Sequence, residues 1–94
     1  HPYDGAGYLV VGDAQAEAGF ADQALATFRQ ALVLDQTNPA PRLRVIQLLY
    51  TLGRPAEGDE VLRQALAVRW HERFWNERYQ LDQLARQRKL ARAR

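Results

Sequence analysis

The sequence predicts an all-α chain, an α-solenoid of two antiparallel helix pairs followed by one further C-terminal helix. Three observations carry that expectation. The chain resembles itself at a fixed offset, its apolar residues recur at three- and four-residue steps, and glycine and proline stand where helices should stop and start. At an offset of 34 residues, eight positions between Gly5 and Asn38 are identical to their counterparts. Ala6 pairs with Ala40, Leu9 with Leu43, Val11 with Val45 and Gly19 with Gly53, and Arg29-Gln30-Ala31-Leu32 returns as Arg63-Gln64-Ala65-Leu66. Such a period marks a repeat architecture, in which each unit buries its apolar face only by stacking on a neighbour.

The first unit, residues 5–38, reads as two helices. Tyr8, Val11, Ala14 and Ala18 fall on one face, because the helical period aligns positions three and four apart. Gly19 stops this helix, since glycine enters the left-handed conformation without a β-carbon clash. Asp22 lies in the first turn of the next helix, where a carboxylate meets the positive end of the dipole. That helix shows Ala24, Leu25, Phe28, Ala31 and Leu32 on one side, and Thr37-Asn38-Pro39 closes the unit. The second unit, residues 39–72, repeats the plan. Pro41 suits a first helical turn, and Val45, Leu48, Leu49 and Leu52 form the stripe that Gly53 ends. Pro55 opens the next helix, Glu57, Asp59 and Glu60 lie near its start, and Val61, Leu62, Ala65 and Leu66 follow.

Beyond Asp59 there is no glycine or proline. The apolar phase nevertheless shifts near Val68–His71, from Leu62, Ala65, Leu66 to Trp70, Phe74, Arg78, Leu81, Ala85. The expected reading is a break around residues 69–72, a capping helix over 73–91 and a basic tail at 92–94. One uninterrupted helix of about 30 residues is the alternative. Trp70 and Phe74 are four apart, as are Trp75 and Tyr79, which makes a wide aromatic band. Either both rows pack on neighbouring helices, or Trp75 and Tyr79 form a second interface, through which copies of the chain could associate.

An aromatic, a large apolar residue followed by glycine, a small alanine, a second aromatic and a second alanine appear in the first unit as Tyr8, Val11, Gly12, Ala24, Phe28 and Ala31. In this the chain resembles the tetratricopeptide repeat (TPR) family, over residues 5–72. The resemblance implies that Gly12 and Ala24 let paired helices approach closely, and that Phe28 fills the space between neighbouring pairs. The second unit departs from the pattern. Arg42 replaces the aromatic, Ile46 the glycine and Gly58 the alanine, while Leu62 and Ala65 hold. Both units have another residue, Gln36 or Trp70, where the family usually places a proline.

Composition narrows the function classes. Hydrophobic residues are 47% and charged residues 26% of the chain, too apolar for a disordered segment. No apolar run approaches the roughly 18 residues of a membrane span, and His1–Gly7 lack the basic start and apolar stretch of a secretory signal. Cysteine is absent, so neither a disulfide nor a thiolate metal site is expected. The alanine- and arginine-rich composition suggests a bacterial source, and no compartment is indicated. The net charge of +2 hides an asymmetry: residues 1–68 sum to −3 and residues 69–94 to +5. Arg86, Arg88, Lys89, Arg92 and Arg94 suit a helix C-terminus; nucleic acid is disfavoured because aromatics are not interleaved with them. His71 beside Glu72 falls short of a metal site and reads as an exposed boundary residue. Glu57, Asp59 and Glu60 read as first-turn acids rather than a catalytic cluster. The expectation is a protein without enzymatic activity or cofactor.

In the TPR family the first helix of each pair lines a concave groove that takes an extended peptide or a helix. The resemblance therefore implies a groove lined by Leu9, Asp13, Ala16 and Glu17, then by Leu43, Gln47 and Tyr50. Chaperone-binding members grip a terminal carboxylate with lysine and asparagine. Leu9, Asp13, Leu43 and Gln47 stand at those positions here, which disfavours chaperone docking and suits a ligand with apolar anchors and some basic residues. The implied function is a non-catalytic protein–protein interaction scaffold. Two pairs are fewer than the three an array usually needs, so a spacer or oligomerisation segment of a larger repeat protein, or a regulatory appendage of an enzyme, are the alternatives.

Overall fold

A computed structural model describes residues 5–90 of the chain. Among these residues are five α-helices and no strand: α1 (Gly5–Glu17), α2 (Ala21–Leu34), α3 (Pro39–Thr51), α4 (Pro55–Ala67) and α5 (Trp75–Arg88). A single 3-10 turn, Glu72–Phe74, leads into α5. The basic tail at 92–94 and the last expected position of the cap, Ala91, lie outside the described residues.

The two glycine stops work as their spacing requires. Gly19 and Gly53 have φ of 88° and 73°, the left-handed region that a β-carbon resists. In each case the next amide folds back over the helix end: Phe20 donates to the Gln15 carbonyl and Arg54 to that of Leu49, both at 2.9 Å. The chain therefore reverses twice by the same device. At the end of α5 Lys89 takes this conformation without being glycine, at φ 56°, and Leu90 donates to the Ala85 carbonyl at 2.9 Å. Asn38 and Pro39, expected to close the first unit, instead open α3. Asn38 Oδ1 accepts from the Ala40 amide at 2.9 Å, and Pro39 occupies the first turn, where its missing N–H costs nothing.

The chain between α4 and α5 is broken, which excludes a single long helix. Val68 is extended, with ψ 139°. Trp70 is then buried, and its indole Nε1 donates to the Ala65 carbonyl at 2.9 Å. That carbonyl belongs to the last turn of α4, where it also accepts from the Val68 amide at 3.3 Å. The Arg42 guanidinium lies 5.4 Å from the Trp70 ring centroid, a cation–π distance. Trp70 is thus part of the break and not a member of a stripe with Phe74 on the last helix. The last helix, α5, starts at Trp75 rather than 73 and ends at Arg88.

Helix α1 packs on α2, α2 on α3 and α3 on α4, while α5 lies against both α3 and α4. One core cluster joins Ala24, Leu25 and Phe28 of α2 to Val45, Leu48 and Leu49 of α3. A second joins Leu43 and Ile46 of α3 to Leu62 and Ala65 of α4, to Trp70 of the break and to Leu81 of α5. Helix α3 is buried on two sides, so its apolar residues go most of the way round.

The departures of the second unit from the first prove to be coupled. A β-carbon on Gly12 would press into the Phe28 ring atoms Cε1, Cδ1 and Cζ at well under van der Waals distance. In the second unit the counterparts of this glycine–phenylalanine pair are Ile46 and Leu62, two medium side chains in one core cluster. Conversely Ala16 and Ala24 become Tyr50 and Gly58, and a β-carbon on Gly58 would sit 2.5 Å from Tyr50 Cε1. In each unit a glycine makes room for an aromatic ring, Gly12 for Phe28 and Gly58 for Tyr50, but at non-equivalent positions of the repeat. Phe28, expected between the pairs, therefore also fills the gap within its own pair.

Candidate partner-binding surfaces

The implied groove residues do not share one fate. Leu9 is half-buried against the first core cluster. Asp13 accepts from Arg44 through both carboxylate oxygens, Nε to Oδ1 at 3.0 Å and Nη2 to Oδ2 at 3.3 Å, which ties α1 directly to α3. Glu17 and Gln47 are on the surface, both exposed. Leu43 is corrected outright: it is 1% exposed, held in the second core cluster, and lines no groove. Its identity with Leu9 reflects the repeat, yet α5 covers this side of α3 and no described helix covers Leu9 equivalently. Both partners of the Asp13–Arg44 pair are more than a third exposed, so Asp13→Asn is expected to cost less than about 1 kcal/mol in thermal or urea unfolding.

Tyr50 is likewise engaged. Its ring lies over Gly58, its hydroxyl donates to Asp59 Oδ1 at 2.7 Å, and the Arg88 guanidinium stands 5.1 Å from its ring centroid. Arg88 closes the set by donating from Nε to Asp59 Oδ1 at 2.8 Å and from Nη2 to Oδ2 at 3.0 Å. Three helices, α3, α4 and α5, meet at this cluster. Neither Asp59 nor Arg88 stands out in the sequence: one reads as a first-turn acid, the other as a solvated C-terminal cation.

The hydrogen bonds from Arg88 and then Tyr50 hold the Asp59 carboxyl down at about 2 against an ordinary 3.8. Burial, followed by the hydrogen bond to Asp59, pushes the Tyr50 phenol up to about 12 from 10.0. A depressed carboxylate stabilises the fold above the unfolded value and loses that contribution as pH falls through the folded one. A raised phenol does so below its unfolded value and loses it as pH rises. Stability is therefore expected to fall from about pH 4 to 2 and again from about pH 10 to 12. Asp59→Asn should remove this group's share of the acid limb and reduce the alkaline limb, which burial of Tyr50 in part sustains, in unfolding curves recorded across that range.

The other acids of α4 are also taken. Glu57 accepts from Arg54 Nε and Nη2, both at 2.8 Å, which lowers its carboxyl, and Glu60 faces Arg63 at 3.8 Å. In the α2–α3 connection the Thr37 hydroxyl and amide donate to Asp35 and hold its carboxyl below the usual range. Among the described residues no group of His, Asp and Glu could hold a metal ion.

Two further features of the surface lie toward the C-terminus. A cleft of about 420 Å³ opens between the α2–α3 connection and the α4–α5 break, walled by Thr37, Arg69, Trp70, His71, Arg73 and Phe74. His71 is exposed there, as its boundary position implies, and its Nδ1 accepts from the Arg73 amide at 3.0 Å. On α5, Trp75 is 70% and Tyr79 58% exposed, so this row leaves the aromatic band rather than packing on a neighbouring helix. Other large apolar side chains lie bare in adjacent pairs, Val10 with Val11 on α1 and Val33 with Leu34 on α2. No helix is long and apolar enough to cross a membrane among the described residues.

No family model, curated protein or solved structure matches this chain.

Proposed function

We propose that the chain is a non-catalytic protein-binding module of the tetratricopeptide type, with α1–α2 and α3–α4 as two stacked antiparallel pairs and α5 as the cap. The 34-residue repeat supports this reading, as do the matching glycine stops and the fit of a glycine against an aromatic ring inside each pair. The observation that carries the function is the distribution of apolar surface. Asp13, Glu57, Asp59 and Glu60 each face an arginine, whereas valine, leucine, tryptophan and tyrosine side chains lie bare in neighbouring couples on α1, α2 and α5. Bare apolar surface on a folded domain is where a partner gains the most by covering it.

A peptide or helix of the partner lies along the α1–α3 side, with Asp13, Glu17 and Gln47 as polar contacts and Leu9 beneath it. Leu43 and Tyr50 belong to the scaffold. A photo-crosslinking residue at Glu17 or Gln47 should capture one partner, and Arg63 on exposed α4 is the control. Equal labelling from all three positions, or none from the first two, would overturn this reading.

The spacer reading has its own support in α1. Val10 is 70% and Val11 48% exposed, an apolar side onto which a preceding helix pair of a longer protein would stack. A crosslink from Val10 into a segment of the same parent protein favours it over peptide binding.

A further inference from the structure

Five arginines of this chain, Arg29, Arg44, Arg54, Arg63 and Arg88, pair with carboxylates. Around the cleft beside Trp70 the pattern changes. Arg69 and Arg73 wall that cleft, both are exposed, and neither makes an ion pair among the described residues. Arg42, whose guanidinium lies over the Trp70 ring, has one buried nitrogen, Nη1, without a hydrogen-bond partner. The neighbouring acids offset this charge only in part. Glu72 stands between Arg69 and Arg73 in the chain but does not wall the cleft. The Arg73 charge reaches Asp35, whose Oδ1 already accepts from both the hydroxyl and the amide of Thr37.

Both lips of the cleft are held by short local bonds. Asp35 ties down Thr37 on one side. On the other, His71 Nδ1 accepts from the Arg73 amide at 3.0 Å, which leaves the ring's proton on Nε2 as a further donor. Val68 and Phe74 add apolar wall, and the volume of about 420 Å³ is that of a small binding pocket. Positive charge beside an apolar wall focuses the local field and draws anions. We propose that this cleft takes an acidic segment of a partner protein, with a carboxylate received by Arg69 and Arg73 and an adjacent apolar side chain against Val68 and Phe74. This rests on the protein-binding reading and gives the chain a second surface, apart from the α1–α3 side.

Charge complementarity selects an acidic occupant, and the aromatic rings select a peptide over a nucleic acid. A base needs a free ring face on which to stack. Trp70 is 7% exposed with Arg42 over its ring, and the Arg73 guanidinium lies 4.7 Å from the Phe74 ring centroid. An apolar side chain needs only Val68 and the edge of the Phe74 ring. Stacking on Phe74 leaves the in-plane N–H donors of Arg73 available, and those are the donors that match a carboxylate.

The test is fluorescence anisotropy of a labelled five-residue peptide, phenylalanine with two glutamates on each side, titrated with the whole chain. A dissociation constant on the order of 100 µM is expected at low salt, weakening as salt is raised. The same peptide with glutamine in place of every glutamate should bind at least about tenfold more weakly, a comparison that needs no altered chain. Arg69→Gln with Arg73→Gln should cause a similar loss while circular dichroism shows the helices intact. Arg86→Gln with Lys89→Gln removes as much charge at the end of α5 and should leave binding within about twofold of wild type.

Two-dimensional NMR locates the peptide independently: the amides of Thr37 and Arg73 should shift on binding, and those of α1 should not. A folded wild type that does not bind at about 1 mM, equal binding of the glutamine peptide, or equal loss from the two double variants overturns the proposal. Tighter binding of an oligothymidylate of equal charge also overturns it, since the cleft then prefers phosphate on a nucleic acid. A peptide that shifts the amides of Glu17 and Gln47 instead overturns the cleft assignment and leaves the protein-binding reading standing. Crosslinks from those two positions test that reading without involving the cleft, so the two failures are distinguishable.

Discussion

Gly12→Ile is expected to destabilise the domain by about 3 kcal/mol, and adding Phe28→Leu is expected to restore most of that loss. The reason is local and geometric. A β-carbon on Gly12 would overlap the Phe28 ring, and Phe28 is 2% exposed, so the ring has no free space to move into. Isoleucine is a better helix former than glycine by a few tenths of a kcal/mol, which is too little to offset the overlap. Phe28→Leu alone should cost about 1 to 2 kcal/mol through the space it leaves. Together the two changes install in the first unit the Ile46–Leu62 combination of the second. The double variant should therefore lie within about 1 kcal/mol of wild type, a favourable coupling of roughly 2 kcal/mol or more. Urea unfolding of the four proteins measures it. Additive losses would show that the two units do not share one packing plan.

Trp70→Ala is expected to have the other largest effect, a loss of about 3 to 5 kcal/mol. Domains of this size have total stabilities of about 5 to 15 kcal/mol, so the variant should be partly unfolded near body temperature. Three contributions disappear together. The indole is 7% exposed within the cluster that joins α3, α4 and α5, its Nε1 donates to the Ala65 carbonyl, and its face receives the Arg42 guanidinium. One Arg42 nitrogen, Nη1, is buried without a hydrogen-bond partner, so stripping the ring from beside it leaves a poorly solvated charge. Trp70→Phe keeps an aromatic face but removes the donor, and should cost less, about 1 to 3 kcal/mol. Hydrogen exchange separates the local consequence from the global one: α5 amides should lose protection before those of α2 and α3. Trp75→Phe leaves Trp70 as the single indole of the chain, so fluorescence in that background follows the break directly during unfolding.

The elements bounded by local chemistry were legible in the sequence. Gly19 and Gly53 end helices because only the backbone at those positions decides the turn, and Pro55 begins one because its fixed φ suits a first turn whatever lies around it. The repeat was legible for the same reason, since the glycine stops and the Arg-Gln-Ala-Leu run recur at one offset. Where the structure differs, a distant segment decides. Trp70 is spaced like a member of the last helix, yet the Ala65 carbonyl at the end of α4 and the guanidinium of Arg42 hold it in the break. Leu43 repeats Leu9 in type but not in exposure, because α5 covers one and no described helix covers the other in the same way. Asp59 lies 9 positions from Tyr50 and 29 from Arg88, and no periodic pattern connects them.

By itself, then, the sequence determined that this chain is helical, where its glycines and prolines turn it, and that residues 5–72 repeat. Those properties depend on backbone preference and on periodic burial, which act over a few residues. Only the tertiary structure decided which side of α3 is core and which is surface, how Asp59, Tyr50 and Arg88 share charge, and that Trp75 and Tyr79 remain in water. Those depend on where the last helix docks, and docking is settled by the summed packing and pairing of residues far apart in the chain.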